Sequence, residues 1–206
     1  MPDPVLVIAC GALARDIDEL KKTYGWDHLH LKTINAWLHN RPRTIAGELR
    51  KTIRKHKDDY SRVFVAYADC GTSGDIDQVL DEDGIERLPG AHCYQFYAGA
   101  QRFNELAAAE PGTFYLTDFL AQHFERFVIE PLRLDQKPEL RDAYFGNYRR
   151  LVYLSQRRSE VLLLAAREAA DRLELEFQHV HTGYGELETA LQRLQVIHHR
   201  GPSIKE

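Results

Sequence analysis

The sequence predicts a Rossmann-like α/β protein with a mostly parallel sheet flanked by helices and a helix-rich C-terminal half. Three observations predict it: apolar runs typical of buried strands, amphipathic stretches between them, and small-residue turns where one passes into the next. The chain has 206 residues, of which 44% are hydrophobic and 28% charged, as in an ordinary globular protein. A single core can serve this length, so we expect one α/β domain over 1–206.

The first half of the chain alternates apolar runs with amphipathic stretches. The runs at 4–9 and 62–68 are continuous and apolar, as in strands buried on both faces of a parallel sheet. We therefore predict both as inner strands that are adjacent or next but one. Together the patterns predict strands over 4–9, 28–34, 62–68 and 85–88, and helices over 12–24, 44–57 and 94–109.

The second half carries more helical periodicity. Pro111 and Gly112 mark a turn, after which a short strand over 113–116 leads to a helix N-cap at Thr117 or Asp118. Apolar residues at helical spacing then predict three consecutive helices, and an alternating segment predicts a late strand before a last helix. The three helices cover 119–128, 138–156 and 159–173, and the late strand covers 175–180.

The charge balance and the apolar runs argue against several classes of partner. With 27 basic and 31 acidic residues the net charge is −4, so no global positive field is available to hold a nucleic-acid backbone. The N-terminal apolar run lacks the basic region of a signal peptide, and no apolar stretch approaches the roughly 20 residues that cross a bilayer. We therefore expect a soluble, cytoplasmic protein that binds neither nucleic acid nor membrane.

Three cysteines follow predicted strands. Cys10 ends the first strand, Cys70 ends the run that begins at 62, and Cys93 follows the segment 85–88. Loops at the carboxyl ends of parallel strands form the ligand crevice, so these thiols are expected to converge there, reduced in the cytoplasm. Thiolates are soft ligands that prefer zinc, iron–sulfur clusters or cuprous copper. Free cysteines are also commonly buried as small hydrophobic side chains, so packing is the alternative interpretation.

Two histidines and three glycine-containing turns are further candidates. His92 adjoins Cys93 and His181 follows the late strand, so either could supply a fourth metal ligand or a general acid or base. Small-residue loops before helices can present backbone N–H groups to an anion. The candidate anion-binding or ligand-binding positions are Gly11, Gly71, Thr72, Ser73, Gly74 and Gly183. Ordinary polar roles for the histidines and plain turn formation by the loops are the alternatives.

Five short segments, in this order along the chain, resemble a known family. They are ACGAL at 9–13, LHNRP at 38–42, YADCG at 67–71, RLPGAHC at 87–93 and PGTFYLT at 111–117. Their ordered combination resembles the domain-of-unknown-function family 1638 of bacteria and archaea over nearly the whole chain. The resemblance implies that the family's motifs centre on the same three cysteines. It also implies a role in one-carbon metabolism, because members often sit near genes for corrinoid-dependent methyltransferases acting on methylamines or betaines.

Two functions of different classes follow from these observations. The first is a metal-dependent enzyme or accessory protein of methyl transfer, in which Cys10, Cys70 and Cys93 hold zinc with an open fourth position for a small-molecule substrate. A variant gives the same cysteines to a [4Fe–4S] cluster, and in either case corrinoid belongs to a partner protein. The second is a non-catalytic binding or chaperone module. It would dock on a corrinoid methyltransferase component through the basic helix at 43–57 or the surface at 144–150.

Overall fold

A computed structural model describes residues 3–196. Its seven strands are β1 (Val5–Cys10), β2 (Leu29–Ile34), β3 (Arg62–Ala66), β4 (Glu86–Arg87), β5 (Thr113–Leu116), β6 (Arg150–Ser155) and β7 (Glu176–His181). The α-helices in this range are α1 (Ala14–Tyr24), α2 (Ile45–His56), α3 (Asp75–Asp81), α4 (Cys93–Ala98), α5 (Ala100–Ala109), α6 (Asp118–Gln122), α7 (Glu130–Leu132), α8 (Leu140–Phe145), α9 (Glu160–Leu173) and α10 (Gly185–Val196). A π-helical turn, Glu125–Ile129, precedes α7.

The described residues divide into two compact units. The first runs to Phe96 and includes α10, and the second spans Tyr97–Tyr184. Each unit contains its own parallel sheet flanked by helices, which confirms the predicted α/β class and its Rossmann-like character. The single domain expected over 1–206 stays a prediction, because a compact unit is defined by its contacts and a domain by its ability to fold alone.

The first unit is built on a four-stranded sheet of order β2-β1-β3-β4, with all neighbours parallel. Every residue of β1 is buried, as its uninterrupted apolar sequence requires. β1 and β3 are adjacent inner strands, which confirms the prediction made from 4–9 and 62–68. Helix α2 buries Ile45, Leu49 and Ile53 at helical spacing and leaves its basic residues outside.

The second unit is built on a three-stranded parallel sheet of order β5-β6-β7. Leu151, Tyr153 and the apolar face of α9 form its core together with residues from the helices between β5 and β6. Helix α9 begins at an N-cap, Ser159, whose Oγ accepts a hydrogen bond from the Leu162 N–H. The predicted helix over 159–173 and late strand over 175–180 are confirmed within one or two residues.

Two helix predictions were wrong. The segment 138–156 was predicted as one helix, but it contains the short helix α8 and then β6, the central strand of the second sheet. A short apolar run such as Leu151–Leu154 satisfies the pattern of a buried strand as well as that of a buried helix, and here tertiary burial between two neighbouring strands decides. The predicted helix over 94–109 is broken at Gly99, whose φ of +77° lies outside the helical region.

No helix within residues 3–196 is long and apolar enough to span a membrane.

Candidate functional site

All three cysteines lie in the first unit, at or beyond the carboxyl ends of its strands. Cys10 is the last residue of β1, Cys70 lies in the turn after β3, and Cys93 is the first residue of α4. Because Ala9 of β1 pairs with Ala66 of β3 in parallel register, the two strands end at the same edge of the sheet. No disulfide joins the cysteines, and each is a free thiol.

The turn that carries Cys70 is held by the carboxylate of Asp69. This carboxylate accepts hydrogen bonds from the Thr72 hydroxyl at 2.9 Å, the Gly74 N–H at 2.8 Å and the Ser73 N–H at 3.2 Å. Cys70 and Ser73 have φ values of +52° and +56°, a conformation that costs a non-glycine residue about 1–3 kcal/mol. Such backbone strain persists only where the surrounding structure imposes it, and it clusters at functional sites.

Backbone hydrogen bonds tie this turn to the segment before Cys93. The Asp69 N–H donates to the Gly90 carbonyl at 3.0 Å, and the Cys70 N–H donates to the Ala91 carbonyl at 2.8 Å. The loops after β3 and β4 therefore run side by side. This pairing places Cys70 and Cys93 on neighbouring segments at one edge of the sheet.

The hydrogen-bond donors of the small-residue turn at 71–74 already bind the carboxylate of Asp69. Burial raises the pKa of the Asp69 carboxyl, but the hydrogen bonds from Gly74, Thr72 and Ser73 outweigh it and lower that pKa below its ordinary value. An external anion would therefore compete with Asp69 for the same donors. Gly11 has a different role, because a Cβ there would meet the Ile34 carbonyl oxygen at 3.1 Å. Gly183, the third candidate loop, lies in the second unit.

His39 is a site residue that sequence reasoning missed. Its Nε2 lies 3.0 Å from the Cys10 sulfur, and the half-buried ring is held in a short 3₁₀ helix after β2. The Tyr67 hydroxyl also hydrogen-bonds Cys10, and burial is the main cause of a strongly raised Tyr67 pKa, so this hydroxyl keeps its proton. The only signal of His39 in the sequence was its place inside the 38–42 segment that carries the family resemblance.

The three thiols are electrostatically coupled. Burial raises the pKa of Cys10 to about 11, and burial followed by the charge of Cys10 raises that of Cys70 to about 12. Burial raises the pKa of Cys93 well above its ordinary value, and Cys70 and Cys10 raise it further. At neutral pH all three are therefore protonated in the metal-free protein. A thiol with these pKa values is a poor nucleophile unless a cation stabilises its thiolate.

The two histidines proposed from sequence occupy different units. His92 is exposed just before α4, and its charge adds to the effect of burial in lowering the pKa of His39. His92 directly precedes Cys93 in the sequence. His181 ends β7 in the second unit, where its Nδ1 lies 2.9 Å from the Ser155 hydroxyl oxygen. A role for either histidine as a fourth ligand stays a prediction.

The ligand atoms of the first unit are of the types that a soft metal prefers, but their present positions do not form a metal site. Three sulfurs and an imidazole nitrogen are the ligand types that zinc and iron–sulfur clusters select. Among residues 3–196, however, no three His, Cys, Asp or Glu side chains are already placed to hold a metal ion together. Metal binding would therefore require the thiols to lose their protons and to rotate toward a common centre.

The raised thiol pKa values predict a loss of stability at high pH. Cys10 has a folded-state pKa of about 11 against an ordinary value of 9.0, so the stability that depends on its protonated form is complete below pH 9.0 and is lost as the pH rises toward 11. In chelator, the free energy of unfolding of the wild type should fall relative to Cys10→Ala by up to about 1.4 kcal/mol per pH unit in that window. Urea unfolding at several pH values measures this difference. A pH-independent difference would contradict it.

Comparison with known proteins identifies a family. The family model described as "Protein of unknown function (DUF1638)" matches residues 33–191, which include Cys70, Cys93 and His39. No curated protein and no solved structure matches the chain. Since the match covers most of the 206 residues, the chain belongs to the DUF1638 family.

Proposed function

We propose that the thiol cluster of the first unit is a metal site that acts on a small-molecule substrate. The observation that carries the proposal is that Cys10, Cys70 and Cys93 all lie at or beyond the carboxyl edge of one parallel sheet, with His39 beside Cys10. The cysteines are supplied by separate segments that end at this edge, and the segments before Cys70 and Cys93 are joined by backbone hydrogen bonds. The ligand crevice of an open parallel sheet is at this edge.

Zinc held by three thiolates would leave a position at which a substrate thiol stays deprotonated at neutral pH, and a [4Fe–4S] cluster would leave an open iron for a substrate oxygen. His39 Nε2 lies 3.0 Å from the Cys10 sulfur, within reach of its proton. Burial and the charge of His92 lower the His39 pKa, so the ring is neutral and can accept a hydrogen bond from the thiol. Tyr67 is suited to donate to the Cys10 sulfur, since its own pKa is strongly raised.

We further propose that the reaction belongs to one-carbon metabolism, as an enzyme or accessory protein of methyl transfer in the cytoplasm, with corrinoid on a partner. Thiolate activation is the step such chemistry needs, because a thiolate and not a thiol attacks a methyl donor. The alternative, a binding module that docks through the basic helix, receives less support. Arg50 and Lys57 of that segment already pair with Glu82 and Asp83 at 2.5 and 2.6 Å.

Metal analysis of anaerobically purified protein tests the proposal. We expect about one zinc or one iron–sulfur cluster per chain, and a broad visible absorption band distinguishes the cluster from colourless zinc. Because the free thiols are protonated at pH 7, adding zinc to metal-free protein in weak buffer should release protons, approaching one for each cysteine that binds. Metal-free protein that neither binds zinc nor releases protons would overturn the proposal and leave the packing role of the cysteines.

A further inference from the structure

The second unit contains a cavity that the thiol site does not use. The cavity has a volume of about 290 Å³ and lies at the carboxyl end of β6 and β7. The lining residues that matter for its chemistry are Ser155, Arg157, Arg158, Glu160, His179 and His181. It occupies, in this sheet, the position at which open parallel sheets bind ligands.

Strand register assembles the polar floor of this cavity. In the parallel pair β6·β7, Tyr153 is paired with His179 and Ser155 with His181. Residues two apart on a strand share a face, so all four side chains lie on the same side of the sheet. The buried Ser155 hydroxyl oxygen lies 2.9 Å from His179 Nε2 and 2.9 Å from His181 Nδ1. The His179 ring also stacks on Tyr153, with centroids 5.3 Å apart.

The single proton of the Ser155 hydroxyl fixes how the two rings face a ligand. The hydroxyl donates to one imidazole nitrogen and accepts from the other. A neutral imidazole has one N–H and one bare nitrogen. The ring that accepts from Ser155 therefore has its N–H on the opposite nitrogen, and the ring that donates to Ser155 has a bare opposite nitrogen. These opposite nitrogens are His179 Nδ1 and His181 Nε2. A ligand oxygen can accept a hydrogen bond from the N–H nitrogen, and a ligand hydroxyl can donate one to the bare nitrogen.

A buried carboxylate positions a guanidinium at the same cavity. Asp118 is 1% exposed, and its Oδ2 accepts from Arg157 Nε at 2.9 Å and from the Arg157 N–H at 3.0 Å. Its other oxygen accepts from the Tyr153 hydroxyl at 2.6 Å and the Gln156 N–H at 3.1 Å. A buried ion pair gains little stability over apolar packing. Its position beside a cavity is better explained by the need to hold Arg157 in a fixed orientation.

The charges around the cavity leave an excess of one positive charge. Two guanidinium groups, those of Arg157 and Arg158, belong to residues that line the cavity. A third, that of Arg167, lies outside the lining and stacks over Phe177, two residues before His179 on the same face of β7. Against them stand the carboxylates of Asp118 and Glu160. With both imidazoles neutral, one negative charge on a ligand would balance the set.

We propose that this cavity binds the oxyanion of a small molecule, a carboxylate or a phosphate group, through Arg158 and the outward N–H of the histidine pair. Arginine guanidinium groups match the geometry of both oxyanions and form charge-assisted hydrogen bonds with them. The cavity volume admits a group of this kind with only a small molecule attached.

Titrations of the full chain with inorganic phosphate and, separately, with acetate test the proposal. The ring signals of His179 and His181 in the NMR spectrum report binding. We expect saturable shifts of both, and about tenfold weaker binding in Arg158→Gln, whose exposed side chain can be changed without disturbing the fold. Arg126→Gln is the matched control, because it removes an exposed arginine of the same unit that lines a different cavity.

The outcomes separate the two sources of the oxyanion. A response to phosphate alone assigns a phosphorylated ligand, a response to acetate alone assigns a carboxylate, and either supports an oxyanion site. The proposal fails if neither ion shifts the two histidine signals. It also fails if Arg158→Gln and Arg126→Gln weaken binding equally, because the effect would then be one of overall charge.

Discussion

Replacing Cys70 with serine should lower the affinity of the protein for zinc more than about 100-fold. Changes to groups that merely orient a ligand already cost about 10–100-fold, and the loss of a thiolate ligand removes a metal bond outright. The metal-free fold should survive, because each unit has its own sheet and buried core and needs no metal to fold. Competition with a chromogenic chelator measures the affinity, and circular dichroism checks the fold.

A series of matched variants defines the ligand set. Cys10→Ser and Cys93→Ser should behave like Cys70→Ser. His39→Gln should cost about 10–100-fold if its imidazole binds the metal or receives the Cys10 proton. His30→Gln is the control, because His30 is an exposed histidine of the same unit on β2. If all three serine variants keep the wild-type affinity, the cysteines pack the edge of the sheet and hold no metal.

Replacing Asp118 with alanine should lower the free energy of unfolding by about 3–5 kcal/mol. Breaking a buried ion pair leaves an uncompensated charge, and Arg157 here is only 17% exposed. The same change also removes the acceptor that hydrogen-bonds the Tyr153 hydroxyl and the backbone N–H groups of Gln156 and Arg157. Thermal and urea unfolding of the full chain measure the loss.

Two further variants test the cause of this loss. The double change Asp118→Ala with Arg157→Leu should recover part of the stability, because it removes the stranded charge together with its partner. Asp171→Asn is the control, since it changes an exposed aspartate of α9 and should stay within about 0.5 kcal/mol of the wild type. A loss below about 1 kcal/mol for Asp118→Ala would show that solvent screens the pair.

Segments with a single clear period could be read from the sequence. The apolar run of β1 is rich in β-branched residues, which favour a strand, and α2 repeats its apolar residues at helical spacing. The segment containing β6 could not be read in this way. Its apolar residues fit a helix and a buried strand equally, and the choice depends on β5 and β7, which lie far along the chain.

Some residues of the candidate sites could be recognised from the sequence, and others could not. Cysteines that follow strands were recognisable, because the carboxyl ends of parallel strands share one edge. His39 carries no local signal of its proximity to Cys10, which is 29 residues away in the sequence. Ser155, His179 and Asp118 were likewise missed, since their hydrogen bonds depend on the register of β6 against β7 and on a turn that brings Asp118 beneath Arg157.

The sequence by itself determined the α/β class, the inner position of β1 and β3 and the placement of three thiols after strands, because each depends on local periodicity or on the order of elements along the chain. Only the tertiary structure decided that the strands form two sheets, and that His39 meets Cys10 while Ser155 meets two histidines. These features depend on pairing and burial between distant segments. Residue types and their spacing along the chain do not show which distant segments will pair, and a shift of one residue in strand register would change these contacts.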